Sequence, residues 1–134
     1  MTAKELFLKH LALMGNPDEG SIYADDMVID LVYAPKHHTG KLEGKEAVLR
    51  FMGNIGVYFR DISIGNPTIY ETTDPNMIIA EYPGSSISKE TGLPYRQHYV
   101  SFVTVRNGKI THIREYYNPI QVLVATGEMT EPGA

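Results

Sequence analysis

The feature that most limits the fold is an Asn107-Gly108 pair between two stretches of alternating side chains, 95–106 and 109–119. Such a pair predicts a two-residue hairpin turn, because both central residues of a type I′ turn need a positive φ. The turn also predicts the pairing of the two strands, since the residue before it lies opposite the residue after it. The sequence therefore predicts a long antiparallel hairpin near the end of the chain.

Counting outward from the turn predicts which side chains share a face of this hairpin, because side chains alternate along a strand. One face would carry His98, Val100, Phe102, Ile113, Glu115 and Tyr117. The other would carry Gln97, Tyr99, Ser101, Val103, His112, Arg114 and Tyr116. Glu115 stands out on the first face, where its neighbours are apolar or aromatic. A carboxyl group in such surroundings has a raised pKa and is a candidate proton donor and acceptor.

Composition limits the classes of protein to consider. A chain of 134 residues with 43% hydrophobic and 21% charged residues is typical of one globular domain, here 1–134. The net charge is −4 and lysines and arginines are not clustered, so we expect no nucleic-acid partner. Cysteine is absent, which excludes disulfides and thiolate chemistry. No apolar run approaches the roughly 20 residues of a membrane span and no signal-peptide pattern is present, so we expect a cytoplasmic protein with no membrane partner.

Helix signals concentrate in the first part of the chain. The capping box from Thr2 to Glu5 and the apolar residues after it predict a helix over 3–14. Asn16 and Pro17 are a typical helix start, and they predict a short second helix that ends near Ala24. An apolar stripe with a period of 3.6 predicts a third helix over about 45–55.

Strand signals occupy most of the remaining chain. They predict strands at 27–33 and 77–87, and one long strand over 62–72 that bends at 65–67. One or two helical turns would follow the hairpin at 120–125, and residues 127–134 read as a flexible tail. This order predicts an α+β fold. In it a cone-shaped, curved mixed or antiparallel sheet wraps around N-terminal helices and encloses one deep pocket.

The same residues resemble a known family. The order of elements, the stretch YADDMVIDLVYAP with GKLEGKEAVLRFM, and the ending GKITHIREYYNP are similar to the nuclear transport factor 2-like superfamily. Within it the chain resembles the SnoaL-like and ketosteroid-isomerase-like branch, and its C-terminal part is most similar to the phenazine-biosynthesis A/B proteins. The resemblance implies a cone-shaped fold with a pocket for a small molecule.

The resemblance also implies roles for particular residues. Glu115 matches the glutamate that acts as acid and base in a ketone–amine condensation in the phenazine proteins. Ile113 and Tyr117 match positions that line the steroid pocket of ketosteroid isomerase. The base aspartate of that enzyme lies in the first strand, where the nearest acid is Asp30 and the aligned residue is Leu31. Glu81 matches an acid in a strand of the phenazine proteins.

Several of these residues have a structural alternative. Glu115 could be paired with His98 or an arginine, and His98 could polarise a substrate carbonyl or cap the rim of the sheet. Asp30 is either a catalytic base or an outward-facing acid. Glu81 is either a second pocket acid or a partner of Arg96. His37 and His38 lie in a loop without a third ligand at zinc spacing, so we expect no metal site.

Two functions are consistent with this reading. The first is an enzyme without a cofactor that isomerises, cyclises or condenses a carbonyl-containing hydrophobic or cyclic metabolite. The expected catalytic residues are Glu115, His98 and Asp30. The expected substrate-binding residues are Tyr117, Ile113, Val100, Phe102, Phe51, Tyr33 and Glu81. The second function is a non-catalytic module that binds a ligand or a partner. An aromatic outer face with Tyr99, Val103 and Tyr116 predicts a homodimer formed through the sheet.

Overall fold

A computed structural model describes residues 1–14 and 22–133 of the chain. The described residues form three helices: α1 (Ala3–Ala12), α2 (Lys45–Tyr58) and α3 (Pro119–Thr126). They also form seven strands: β1 (Tyr23–Leu31), β2 (Lys41–Glu43), β3 (Phe59–Ile64), β4 (Thr68–Glu71), β5 (Met77–Ser88), β6 (Pro94–Arg106) and β7 (Lys109–Tyr116). The α+β class is confirmed.

Local signals explain the boundaries of two helices. At the start of α1, the Thr2 hydroxyl accepts a hydrogen bond from the Glu5 amide, and the Glu5 carboxylate accepts one from the Thr2 amide, both at 3.1 Å. This reciprocal pair satisfies amides that have no partner within the helix. At the start of α3 the Asn118 side chain accepts a single hydrogen bond from the Ile120 amide, and Gly127 ends α3 in a left-handed conformation.

The seven strands form one curved, unclosed mixed sheet. Its order is β2-β1-β7-β6-β5-β3, and β4 pairs with β5 beyond the end of β3. The β1–β7 pair is parallel, whereas the other pairs are antiparallel. The helices lie on the inner face of this sheet, where α1 packs against β5, β6 and β7 and α2 packs against β1. This is the predicted cone.

The hairpin turn is confirmed, but the predicted pairing beyond it is wrong. Asn107 and Gly108 have φ angles of 52° and 73°, and Val105 lies opposite Ile110. The next pair is Thr104 with His112, so Thr111 is an extra residue on β7. Such a bulge reverses the face of every later residue of one strand relative to its partner. Ser101 therefore lies opposite Glu115, where Val100 was predicted.

Other boundaries differ from the sequence prediction. The predicted second helix, from Asn16 to near Ala24, lies mainly outside the described residues. Its predicted end is wrong, since β1 already includes Tyr23. Helix α2 continues to Tyr58 rather than 55, and the short strand β2 was not predicted. The predicted single strand over 62–72 is two strands, β3 and β4, which both pair with β5.

The core lies between α1 and the inner face of the sheet. Leu6 and Phe7 of α1 are fully buried, and the Phe7 ring contacts the Tyr82 ring of β5 at 5.6 Å between centroids. Strand β1 contributes Met27 and Ile29, which are also buried. Among the described residues, no helix is both long enough and apolar enough to cross a membrane.

The central position of Phe7 leads to a prediction about stability. We expect Phe7→Ala to lower the free energy of unfolding by about 3–5 kcal/mol, because the substitution leaves a cavity beneath α1. Leu8→Ala is the matched control, since the neighbouring Leu8 is 41% exposed and should cost less than about 1 kcal/mol. Urea denaturation followed by circular dichroism measures both values. Equal losses for the two variants would contradict this account of how α1 is held.

Candidate functional site

A cavity of about 390 Å³ lies between the inner face of the sheet and the helices. Helix α2 contributes Phe51 and Met52 to its wall, and α3 contributes Val122 and Ala125. The wall is largely apolar, and no lysine or arginine is among the described residues that line it. A cavity of this size with few polar groups is typical of a site for a small organic molecule.

Glu115 lines this cavity from β7. It lies between Leu31 of β1 and Ser101 of β6, the residues that pair with it on either side. Loss of hydration at this place raises the pKa of the Glu115 carboxyl from 4.5 to about 7, although a hydrogen bond from Tyr82 acts in the opposite direction. The carboxyl group is therefore divided between its charged and neutral forms near neutral pH.

Tyr82 of β5 connects Glu115 to the sheet. Its hydroxyl donates to the Glu115 carboxylate at 3.3 Å and is 2.9 Å from the Ser101 hydroxyl. Tyr82 and Ser101 are both fully buried, so these bonds are shielded from bulk water. Burial, with the nearby Glu115 charge second, raises the pKa of Tyr82 well above its ordinary value. The tyrosine thus stays protonated and orients the carboxylate.

A second cluster of hydrogen-bonded side chains surrounds Tyr95 near the start of β6. The Tyr95 hydroxyl accepts hydrogen bonds from the Gln97 amide at 3.1 Å and from the Tyr99 hydroxyl at 3.2 Å. The Gln97 amide is held by two bonds of 2.9 Å to the backbone of Asn118. A hydroxyl has two acceptor positions and one donor. Both acceptor positions of Tyr95 are occupied, which leaves its proton for another partner.

Three residues predicted for the pocket do line the cavity beside Glu115. Ile113 of β7 and Tyr117, the residue after β7, face the cavity with Glu115, and α2 contributes Phe51. Burial raises the pKa of Tyr117 to about 12, so its hydroxyl is protonated. The predicted inner face of β7 is therefore correct. The prediction of the inner face failed for β6.

The three predicted pocket residues of β6 lie on the outer face, contrary to the prediction. His98 is 60% exposed in its side chain. Val100 lies opposite Tyr116, and Phe102 packs against the Arg114 guanidinium at 4.5 Å. The cause is the extra residue at Thr111, which turns these side chains away from Glu115. Tyr95 and Tyr99 of β6 face the cavity in their place. The prediction that Tyr99 and Val103 lie on the outer face is therefore wrong, and Val103 is fully buried.

The other two acids also lie outside the cavity. The Asp30 carboxylate accepts a 2.7 Å hydrogen bond from the His112 ring on the outer face, whereas Leu31 faces the cavity. Its placement as a catalytic base is wrong, and the alternative of an outward-facing acid is correct. Glu81 lies 3.9 Å from His98 on the same outer face, so its placement in the pocket is also wrong. Among the described residues, neither His98 nor an arginine pairs with Glu115.

The remaining predictions concern Tyr33 and the two loop histidines. Tyr33 is 56% exposed and makes an edge contact with Tyr116, so it does not line the cavity. His38 lies at the cavity mouth and forms a 2.9 Å hydrogen bond with Glu128 after α3. Within 1–14 and 22–133, no three histidine, aspartate or glutamate side chains are close enough to share a metal ion.

Sequence reasoning missed Tyr82, Tyr95, Tyr99 and His10 as cavity residues. Tyr82 and His10 are distant in sequence from the hairpin on which the site was built. Tyr95 and Tyr99 belong to the hairpin and lie on the same face of β6 as Gln97 and Ser101. The bulge at Thr111 of the partner strand β7 leaves no clear local signal in the sequence. The predicted inner face of β6 is wrong for that reason.

Comparison with known proteins places the chain in a family. Residues 16–113 match the family model of the SnoaL-like domain. The chain is 34% identical over 128 residues to the uncharacterized protein YesE of Bacillus subtilis, covering 93% of this chain and 87% of that protein. It is 30% identical to an uncharacterized PhzA/B-like protein of Pseudomonas aeruginosa, covering 95% and 92%.

A solved structure agrees with these matches. The crystal structure of a proposed isomerase from Bacillus subtilis superposes with a TM-score of 0.85 at 33% identity, covering 95% of this chain and 94% of that one. The protein therefore belongs to the SnoaL-like family, within the group of NTF2-like folds.

Proposed function

We propose that the protein is an acid/base enzyme that moves a proton on a hydrophobic or cyclic carbonyl compound bound in the cavity. The observation that carries the proposal is the Glu115 carboxyl, which lines an apolar cavity and has a pKa of about 7. A carboxyl group with such a pKa can accept and return a proton at neutral pH. Similarity to a proposed isomerase supports the same class of reaction.

The chemical step follows from the position of Glu115. The carboxylate removes a proton from the carbon next to the carbonyl group, and the electron pair of the broken C–H bond moves to the carbonyl oxygen. Glu115 then returns the proton to the same carbon, which gives exchange, or to another carbon, which gives isomerisation. In cyclisation the enolate carbon instead attacks a second carbonyl group of the substrate, and the oxygen of that group takes the electron pair of its C=O bond and then the proton from Glu115. Tyr82 keeps the carboxylate oriented through its 3.3 Å hydrogen bond.

Tyr95 is the group best placed to stabilise the oxygen that gains charge. It lines the cavity, and the hydrogen bonds from Gln97 and Tyr99 leave its own proton available. Such a donor, held before the substrate arrives, stabilises an enolate oxygen without further reorganisation. Tyr95 thus takes the role of polarising the carbonyl, which had been considered for His98 on the basis of the sequence.

We also propose that two copies pair through the outer face of the sheet. Phe102, Tyr116 and Arg114 form a contiguous cluster there, and the Arg114 Nε atom is buried without a partner among the described residues. The same face carries acidic Asp30 and basic His112. A face with aromatic residues and both signs of charge can match a second copy of itself around a two-fold axis.

Hydrogen–deuterium exchange of β-tetralone, a bicyclic ketone, tests the role of Glu115. We expect the protein to accelerate exchange next to the carbonyl, with a rate that rises as the pH increases through about 7, because the carboxylate is the base. Glu115→Gln should lower the rate at least about a hundredfold. NMR spectroscopy in D₂O measures the rate.

Glu81→Gln is the matched control, since it removes an acid from the outer face and should leave exchange unchanged. Full activity of Glu115→Gln would contradict the proposal. Binding of β-tetralone without any exchange would favour a non-catalytic binding module instead.

Tyr95→Phe tests the proposed oxygen donor. We expect the exchange rate at saturating β-tetralone to fall about tenfold to a thousandfold, with a smaller change in the concentration needed for half-saturation, because the bond matters most for the enolate. Tyr58→Phe is the control, because Tyr58 also lines the cavity but forms no hydrogen bond with Tyr95. An unchanged rate for Tyr95→Phe would remove this residue from the mechanism.

Sedimentation equilibrium tests the dimer. We expect the wild type to sediment with twice the chain mass and Phe102→Glu to sediment as a monomer, because the new charge would be buried in the contact. Val57→Glu, at a position 60% exposed on α2, should remain dimeric. A monomeric wild type would contradict the proposed pairing.

A further inference from the structure

His10 is a buried titratable residue that the proposed mechanism does not use. It lies on α1, is 2% exposed, and is one of the residues that line the cavity. Its ring contacts Phe7, which in turn contacts Tyr82. A histidine in this place either completes a structural network or offers a polar atom to a bound molecule.

The hydrogen bonds of His10 distinguish these two possibilities. Its Nδ1 atom lies 2.7 Å from the Tyr23 hydroxyl, a contact that holds the plane of the ring. No hydrogen bond joins its Nε2 atom to any of residues 1–14 and 22–133, and His10 lines the cavity. A buried polar atom without a partner costs free energy, so a ligand that supplies a partner here gains affinity.

The charge of the site limits which ligand group can fill it. Burial lowers the pKa of His10 from 6.5 to about 4, so the ring is neutral at neutral pH. No lysine or arginine is among the described cavity residues that could offset an anion. A ligand carboxylate or phosphate at this place would lose its hydration without a counter-charge. The group is therefore an uncharged hydroxyl or carbonyl.

His10 and Tyr95 lie toward different ends of the inner sheet face. Tyr23, which holds His10, pairs with Ile110 beside the hairpin turn, and Ile110 pairs with Val105. Tyr95 lies ten positions earlier on β6, near its start. Glu115 lies between them, opposite Ser101. A molecule that meets Glu115 and Tyr95 with one end extends toward His10 with the other.

We propose that His10 is a specificity-determining residue, whose Nε2 atom forms a hydrogen bond with a second, uncharged oxygen at the far end of the ligand. The ligand class is an uncharged ring compound with an oxygen substituent at each of two opposite ends. One of these oxygens belongs to the carbonyl group that accepts a hydrogen bond from Tyr95 and next to which Glu115 removes a proton. The inference rests on the proposed function for the position of that carbonyl.

Two binding probes test this inference. β-Naphthol has one hydroxyl, whereas the dihydroxynaphthalene with hydroxyls at opposite ends has two. The quantity to measure is the ratio of their dissociation constants, obtained by isothermal titration calorimetry. We expect His10→Phe to reduce the preference of the wild type for the two-ended probe by about fivefold to tenfold, the range expected for one lost hydrogen bond.

Further variants separate the hydrogen bond from changes in packing. His10→Leu is a second apolar replacement in case His10→Phe folds poorly, and it should give the same loss of preference. His10→Gln keeps a polar atom and should restore part of the preference. Met14→Leu changes another cavity residue of the same segment and should leave the ratio as in the wild type.

The outcomes also separate this inference from the proposed function. The same ratio in wild type, His10→Phe and His10→Leu would overturn the inference, as would failure of both probes to bind the wild type. In the Glu115→Gln background, replacing His10 should change the ratio of the two dissociation constants by the same factor as in the wild type. If exchange of β-tetralone fails but the ratio still depends on His10, the proposed reaction is wrong and the polar contact at His10 stands.

Discussion

The pairing of β6 with β7 is the constraint on which the site depends. Thr111 is inserted into β7 just after the turn, and its hydroxyl donates to the Thr104 carbonyl at 3.2 Å. Beyond this bulge, Ser101 shares a face with Glu115. The small Ser101 side chain leaves room for the Tyr82 hydroxyl to reach the carboxylate. A larger residue opposite Glu115 would fill the space in which the Tyr82 contact forms.

The polar groups of the cavity are few, and protein partners hold most of them in place. Tyr82 links Ser101 to Glu115, and the backbone of Asn118 holds Gln97 in the orientation that serves Tyr95. Such support keeps donors and acceptors aimed before a ligand arrives, which lowers the cost of ordering them later. The apolar wall supplies the other requirement, because it raises the pKa of Glu115 into the neutral range.

Inner and outer faces of the same strands have separate tasks. On β7, Ile113 and Glu115 face the cavity, whereas His112 and Arg114 face outward. A substitution at an outer position can therefore change the outer surface of the sheet without touching the cavity. Because neighbouring residues of a strand point to opposite faces, a shift of one position would exchange these tasks.

The sequence by itself determined the α+β class, the hairpin turn and the caps of α1 and α3. Each of these depends on contacts within a few residues, such as the positive φ of Asn107 and the bonds between Thr2 and Glu5. It also identified Glu115, since an acid among apolar neighbours on one strand is visible in the alternation. The resemblance of the C-terminal stretch to phenazine-biosynthesis proteins pointed to the same residue.

Only the tertiary structure decided which residues surround Glu115. Tyr82 comes from β5 and His10 from α1. Tyr82 reaches Glu115 only once β5, β6 and β7 are paired, and His10 reaches Tyr23 only once α1 is packed on the sheet. Tyr99 faces the cavity and His98 faces outward, which is the reverse of the prediction. The single extra residue at Thr111 is the cause. An alternating pattern divides the side chains of each strand into two faces. Which of the two is the inner face of the sheet depends on how the strand is paired with its neighbour.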